Sequence, residues 1–304
     1  MAQYKNKKNQ IHGVLLLDKP LGLSSNAALQ KVKWLYQAKK AGHTGALDPL
    51  ATGLLPICFG QATKVSEYLL GSSKKYTTTI KLGEVTDTRD AEGVVIDKIA
   101  VDVSDAQIEE VLSQFRGQIK QVPPMYSALK KDGQPLYKLA RKGKEIELPA
   151  RDMTVYSLAA ERTSDVLLKL EVHCSSGFYI RSLGHDIGQA LGCGAHVVEL
   201  RRTDIKSISV RQSHSIEALT DLENDQQALT DLLLPIDVLI SDMPQLQVSD
   251  KQIKSLLCGK PTQSDGLVTS GLTRFYRPNG GLFALGEVRQ NSQIKTQKIF
   301  VDID

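Results

Sequence analysis

Gly42-His43-Thr44-Gly45-Ala46-Leu47-Asp48-Pro49-Leu50-Ala51-Thr52-Gly53-Leu54-Leu55 is the stretch on which the reading of this chain turns. Asp48 directly before Pro49 has the form of a helix N-cap followed by the first helical position, so the spacing predicts a helix beginning there. Three glycines in the run, Gly42, Gly45 and Gly53, allow backbone to approach a ligand closely. A carboxylate at a helix start is held ionised by the positive helix end and by amide hydrogen bonds, which makes Asp48 a nucleophile or a base. A purely structural Asp-Pro cap fits the same residues. The Walker pattern of a phosphate cradle is absent.

Outward from this loop, Ile11 to Leu17 reads as a buried strand ending in the turn Asp18-Lys19-Pro20-Leu21-Gly22. Ser24 or Ser25 caps a helix with Ala28, Val32 and Leu35 at helical period. Leu54 to Phe59 is an apolar run, Ala62 to Leu70 a short helix, and Tyr76 to Ile80 an alternating strand. Ser104 with Gln107 forms a capping-box signature for a helix reaching Phe115. Pro135 and Gly143 bracket a helix over Leu136 to Lys142 inside a basic stretch that looks like an inserted helical arm. Val166 to His173 and Ala195 to Leu200 read as strands, with a helix from Arg181 to Leu191 between them. From about 246 the pattern becomes a β-rich module: a helix over Asp250 to Cys258, then strands that include Phe283 to Val288 and Lys298 to Val301.

The 304 residues, 41% hydrophobic and 24% charged, suit one large or two unequal globular domains and exclude a disordered or coiled-coil chain. No apolar run approaches the roughly 20 residues of a membrane span, and the basic N-terminus lacks a secretory h-region, so a cytoplasmic address is expected. Cys58, Cys174, Cys193 and Cys258 form no C-x-x-C pair. They read as buried small hydrophobes, and the irregular spacing of His173, Cys174, His185, Cys193 and His196 matches no zinc pattern. The net charge of +4 is unevenly spread: residues 1–75 sum to +8 and residues 120–151 to +5, leaving −9 for the rest. Two basic blocks on an acidic remainder point to a polyanion partner, with solvated lysine faces as the plainer reading.

The loop at 42–55 resembles the catalytic motif of the TruB-type tRNA pseudouridine-55 synthases. Other stretches follow in that family's order: Gly13 to Ser25, Gly60 to Lys64, Lys75-Tyr76, Thr86 to Gly93, Gln121 to Lys130, Ser175 to Leu183 and Leu200 to Thr203. Gly281 to Val288 is similar, more weakly, to the core of a PUA-type RNA-binding module. One departure stands after Thr203, where the family commonly has a glycine and this chain has Asp204-Ile205-Lys206-Ser207. The resemblance implies an α+β pseudouridine-synthase fold with a mixed, mainly antiparallel central sheet and an inserted helical arm over about 124–151. It divides the chain into a catalytic domain, 1–245, and a small PUA-like β-barrel module, 246–304.

By the same resemblance one uridine in the T-loop of tRNA is isomerised to pseudouridine, with no cofactor and no metal, because the atoms are conserved. Asp48 would be the catalytic carboxylate, Tyr76 would stack on the flipped uracil, and Arg181 would pair with Asp48. His43 would abut the space vacated in the RNA stack, Tyr179 would contact base or sugar, and Leu200 would wall the base. Lys64 and Asp90 would support the substrate site, while Lys130, Lys131 and Arg141 in the arm would grip the T-arm backbone. The expected partner is tRNA alone, with no membrane and no obligatory protein, bound by a monomer. A guide-RNA-dependent relative and a non-catalytic tRNA-folding chaperone are the competing readings. The basic arm disfavours the first, and the set Asp48, Tyr76 and Arg181 disfavours the second.

Overall fold

A computed structural model describes residues 8–127, 129–131, 133–140, 142–143, 146–264 and 269–300. The elements that position the site are β1 (Gly13–Lys19), α1 (Ser25–Leu35), β2 (Ala41–His43), β3 (Ala51–Phe59) and β4 (Lys74–Leu82). They are followed by α2 (Asp105–Gln114), β5 (Gly117–Gln121), β6 (Arg151–Arg162), β7 (Leu167–Cys174), α3 (Ile180–Ala190) and β8 (Ala195–Ile205). The central sheet runs β1-β3-β8-β4-β7-β6-β5, with His214–Ser215 beside β1 at one end and β2 paired to β3. It is antiparallel except where β8 meets β3 and where His214–Ser215 meets β1, which is the mixed, mainly antiparallel sheet expected.

Local sequence explains most of these elements. The Ser24 hydroxyl accepts from the Ala27 amide at 3.1 Å and starts α1, whose buried Ala28, Leu29, Val32 and Leu35 lie on one helical face. The full capping box of Ser104 and Gln107 opens α2. β3 is buried on both faces because Leu55, Ile57 and Phe59 pack into one apolar cluster and Leu54 and Cys58 into another on the opposite side of the sheet, so Leu54 to Phe59 form an unbroken apolar run rather than an alternation. β4 alternates and extends two residues beyond each end of Tyr76 to Ile80, since β7 and β8 pair along its whole length.

Four local expectations are corrected. No helix begins at Pro49: the Ala51 amide donates to the Asp48 carbonyl at 3.0 Å, turning the chain straight into β3. Asp48 is therefore not a helix cap, because the apolar run after it gains more by pairing in the sheet. The helix at 62–70 is a 3-10 turn, Gly60–Lys64, followed by one α-turn, Ser66–Leu70. The arm helix covers Leu136–Ala140 only. Cys58, Cys174 and Cys193 are buried, but Cys258 is exposed beyond a helix end. At the site of the missing glycine, Lys206 takes φ of 57° in the two-residue turn between Asp204-Ile205 and Ile208-Ser209, where its amide donates to Ser73.

A second sheet is built from Gln245–Gln247, Gly271–Tyr276, Leu282–Val288, Gln293–Ile299 and Thr262–Gln263, in that spatial order. The last full strand starts five residues before Lys298, and Val301 lies outside the described residues. Leu282, Leu285 and Phe300 of this region join Val14, Leu16, Leu54 and Cys58 in one apolar cluster on the back of β1 and β3. The principal core, containing Leu15, Leu55, Ile57, Ile80, Leu170 and Leu183, fills the opposite face under the helices. No described helix is long and apolar enough to cross a membrane.

Gly53 holds β3 against β8: its φ is 101°, and a β-carbon there would stand 2.3 Å from the Arg202 carbonyl oxygen. Gly22, with φ of 82°, faces open space. We expect Gly53→Ala to cost roughly 3 kcal/mol in urea unfolding, against about 1 kcal/mol for Gly22→Ala. Equal costs would show that the close approach of the strands is not what Gly53 is needed for.

Candidate active site

The register of three strands assembles one side of the site. Leu200 of β8 lies opposite Ala51 of β3 and Thr78 of β4, and Arg202 opposite Gly53 and Tyr76. Side chains two apart on a strand share a face, so Leu200 and Arg202 meet Tyr76 beside the entry to β3. The loop 44–50 covers this layer and is clamped from the start of α1. There the Ser25 hydroxyl accepts from the Leu47 amide at 2.7 Å and donates to the Leu47 carbonyl at 3.0 Å.

Lys19, fully buried, ties the turn after β1 to the same loop, donating to the carbonyls of Pro20 at 2.8 Å and Leu23 at 2.6 Å in the turn and, at 3.5 Å, to that of Pro49 in the loop. Burial lowers its ammonium to a pKa of about 8, with Asp48 opposing the shift. The reading of Lys19-Pro20 as a turn former matches these bonds.

Arg181, the second residue of α3, comes from the other side. It is buried to 5% exposure and each end of its guanidinium serves one carboxylate: Nη2 stands 2.9 Å from Asp48 Oδ2, and Nη1 3.4 Å from Asp90 Oδ2. Nη2 also donates to the Tyr126 carbonyl at 2.7 Å and Nη1 to that of Thr88 at 3.4 Å. Asp90 is sealed in, its Oδ1 accepting from the Thr88 hydroxyl at 2.6 Å and from the Glu92 amide at 3.1 Å. Asp48 differs, since 41% of its side chain remains open to the cleft. Walls on its other sides push its carboxyl above the usual value by desolvation, and Arg181 pulls it back.

The cleft in front of Asp48 is a cavity of about 340 Å³ lined by Gly45 to Asp48, Lys74, Tyr76, Ser127, Gly177 to Arg181, Leu200 and Arg202. Tyr76 and Leu200 are each 8% exposed and form its apolar wall. Burial raises the Tyr76 phenol, and the charge of the nearby Arg202 guanidinium pulls the other way. Tyr179 precedes α3. Its backbone is gripped by Gln121, which accepts from its amide at 2.8 Å and donates to its carbonyl at 3.0 Å. The Ser127 hydroxyl, buried without a hydrogen-bond partner among the described residues, lines the same cavity beside Tyr179.

Not every sequence candidate reaches this cavity. His43 ends β2 just outside the wall, and burial with the nearby Arg202 charge depresses its pKa, which keeps it neutral. Lys64 points away, donating to the Ile299 carbonyl at 2.7 Å and lying 5.9 Å from the Phe300 ring centre. It fastens the second sheet because the short 3-10 turn carrying it lies over that sheet. Lys130 is exposed on the small ladder of Lys130–Lys131 with Gln134–Pro135. Arg141 and the Lys131 side chain lie outside the described residues.

Two residues were missed by sequence reasoning. Arg202, 1% exposed, donates through Nε to the Leu54 carbonyl at 2.8 Å and through Nη2 to the Gly45 carbonyl at 3.0 Å. Its signal was parity with Leu200. Arg201, one residue before it, faces outward in a two-bond pair with Asp18 at 2.9 and 2.7 Å. Gln121 gave no signal beyond its place at the head of a motif.

Comparison with known proteins identifies the family of the chain. Residues 33–180 match the model of the TruB family pseudouridylate synthase N-terminal domain, and residues 181–241 that of the tRNA pseudouridylate synthase B C-terminal domain. The tRNA pseudouridine synthase B of Pseudomonas fluorescens strain Pf0-1 is 48% identical over 301 residues, covering 98% of this chain and 99% of that protein. That of Neisseria meningitidis serogroup A is 46% identical over 94% of this chain and 93% of its own. Among solved structures, a chain of a Cbf5-Nop10-Gar1 complex superposes with a TM-score of 0.72 at 26% identity, over 96% of this chain and 86% of that one.

Arg202 bonds two backbone carbonyls from a buried position. Arg202→Met is expected to cost about 3 kcal/mol in urea unfolding, whereas the exposed Arg211→Met leaves the midpoint unchanged.

Proposed function

The chain belongs to the TruB family of pseudouridylate synthases, and from its site we propose that it converts a T-loop uridine of tRNA, position 55, to pseudouridine. The observation that carries this reading is the open carboxylate of Asp48, fixed by buried Arg181 at 2.9 Å and facing an apolar wall of Tyr76 and Leu200. The reaction breaks the bond between C1′ and N1, turns the uracil and joins C1′ to C5. Every heavy atom is retained, C5 gives up its proton, and N1, freed from C1′, takes one up. Asp48 serves either by adding to the ribose or the uracil ring or by removing a ribose proton.

The reacting base starts inside a folded RNA loop, and extruding it costs a few kcal/mol of stacking. Tyr76 and Leu200 give the flipped ring an apolar surface, and Tyr179 borders the same space. Binding energy from the phosphate backbone offsets the extrusion. Lys130, Lys131 and Arg141 of the arm at 124–151 are the groups assigned to it, with His43 at the margin of the vacated stack. Asp90 acts through Arg181 rather than on the substrate, and Lys64 acts on the second sheet rather than on RNA. We assign 1–245 to catalysis and 246–304 to a PUA-like module that adds RNA contact, in a cytoplasmic monomer needing no protein partner.

Purified protein incubated with unmodified tRNA transcript alone should release tritium from C5-labelled uridine, and Asp48→Ala should release none. Turnover that required an added guide RNA or protein would overturn the stand-alone assignment. Because burial raises the Asp48 carboxyl, the acid limb of kcat should lie above the ordinary range of an aspartate. Arg181→Met removes the cation that favours the carboxylate, so its residual kcat should fall by at least about 100-fold, with the acid limb moved to higher pH. Affinity for tRNA should fall steeply with salt, and Lys130→Glu should flatten that slope.

A further inference from the structure

Outside the cleft, the chain's single tryptophan is 68% exposed near the end of α1. It borders a cavity of about 510 Å³ that Lys8, Lys33, Gln37 and Asn224 also line. The wall is built rather than incidental. Gln37 adopts φ of 49° and turns the chain, so that Asn9 bonds to Gln37 and Lys39 and brings Lys8 alongside Trp34.

Lys8, exposed, and Lys33, half-buried, line it, while Lys31, Lys39 and Lys40 are exposed in the chain on either side of Trp34, and none of the five takes part in an ion pair among the described residues. Among the described residues that line the cavity, Glu223 is the one acidic group. An unneutralised group of lysines around an exposed indole combines a phosphate attractor with a stacking platform. A protein interface core is depleted in lysine, which argues against a protein occupant.

We propose that this cavity is a second RNA contact, in which an unpaired nucleotide of the bound tRNA stacks on Trp34 while its phosphates lie among the surrounding lysines. The inference rests on the tRNA substrate proposed above. The geometry is suitable: Ser25 at the head of α1 holds the loop of Asp48, and Trp34 follows about 14 Å along the same helix.

Because Trp34 is the only tryptophan, its fluorescence reports on this site alone. Titration with tRNA transcript, and separately with oligouridylate, should quench the emission and protect it from acrylamide, whereas a blunt RNA duplex should do neither. Trp34→Ala should weaken tRNA affinity on the order of 10-fold, and Trp34→Phe, which keeps a ring, should restore most of it. The melting temperature of both variants should match wild type.

Pseudouridine formation with unchanged Trp34 emission and unaltered Trp34→Ala affinity would overturn the contact while leaving the activity standing. Absence of pseudouridine with retained quenching by oligouridylate would instead overturn the substrate reading and keep an RNA site. Emission that shifts to the blue with protein concentration alone, without RNA, would give the surface to a second copy of the chain and end the proposal.

Discussion

A guanidinium cannot be buried beside a strand-rich core without compensation, and in this protein the compensation organises the site. Arg181 is 5% exposed and is shared between two carboxylates, one sealed and one open. Removing both charges would strand a cation in low dielectric, a far larger cost than the pair returns in stability. The arrangement is thus better understood as orientation than as stabilisation. Asp90, locked by Thr88 and Glu92, sets the guanidinium, and the guanidinium sets Asp48. The outermost carboxylate inherits a fixed direction without being covered.

The opposite wall depends on register. Ala51, Leu200 and Thr78 form one row across three strands and Gly53, Arg202 and Tyr76 the next, so a slip of one residue would turn the functional side chains to the other face. Gly53 permits the close approach that fixes the row, and Arg202 fastens it by bonding the loop at Gly45 and the strand at Leu54. Chemistry at the cleft therefore draws on backbone packing that extends well behind it.

Much of this was legible in the sequence, for identifiable reasons. Ser24, Ser104 and the alternation of β4 carry local signals that tertiary packing left intact. The Asp48-Pro49 pair misled because its helix-start chemistry is real, yet the apolar run after it gained more from pairing in the sheet. Arg202 was hidden because a charged residue next to another charged residue looks like surface, and only strand parity separates the inward arginine from the outward one. Lys64 shows the converse. A lysine inside a recognised motif lies where the fold needs a cation for packing, and no sequence pattern says which role a motif lysine fills.

The back of the central sheet carries a last implication. Val14, Leu16 and Leu54 share their apolar cluster with Leu282, Leu285 and Phe300, and Lys64 and Lys298 cross the same boundary in opposite directions, Lys298 bonding the Lys64 carbonyl and Glu67. The C-terminal strands are thus structural cladding for the strand into which the reacting loop runs. A chain cut before Gln245 would expose a greasy rear surface and lose solubility as well as any RNA contact, so truncation cannot cleanly separate what this tail grips from what it holds in place.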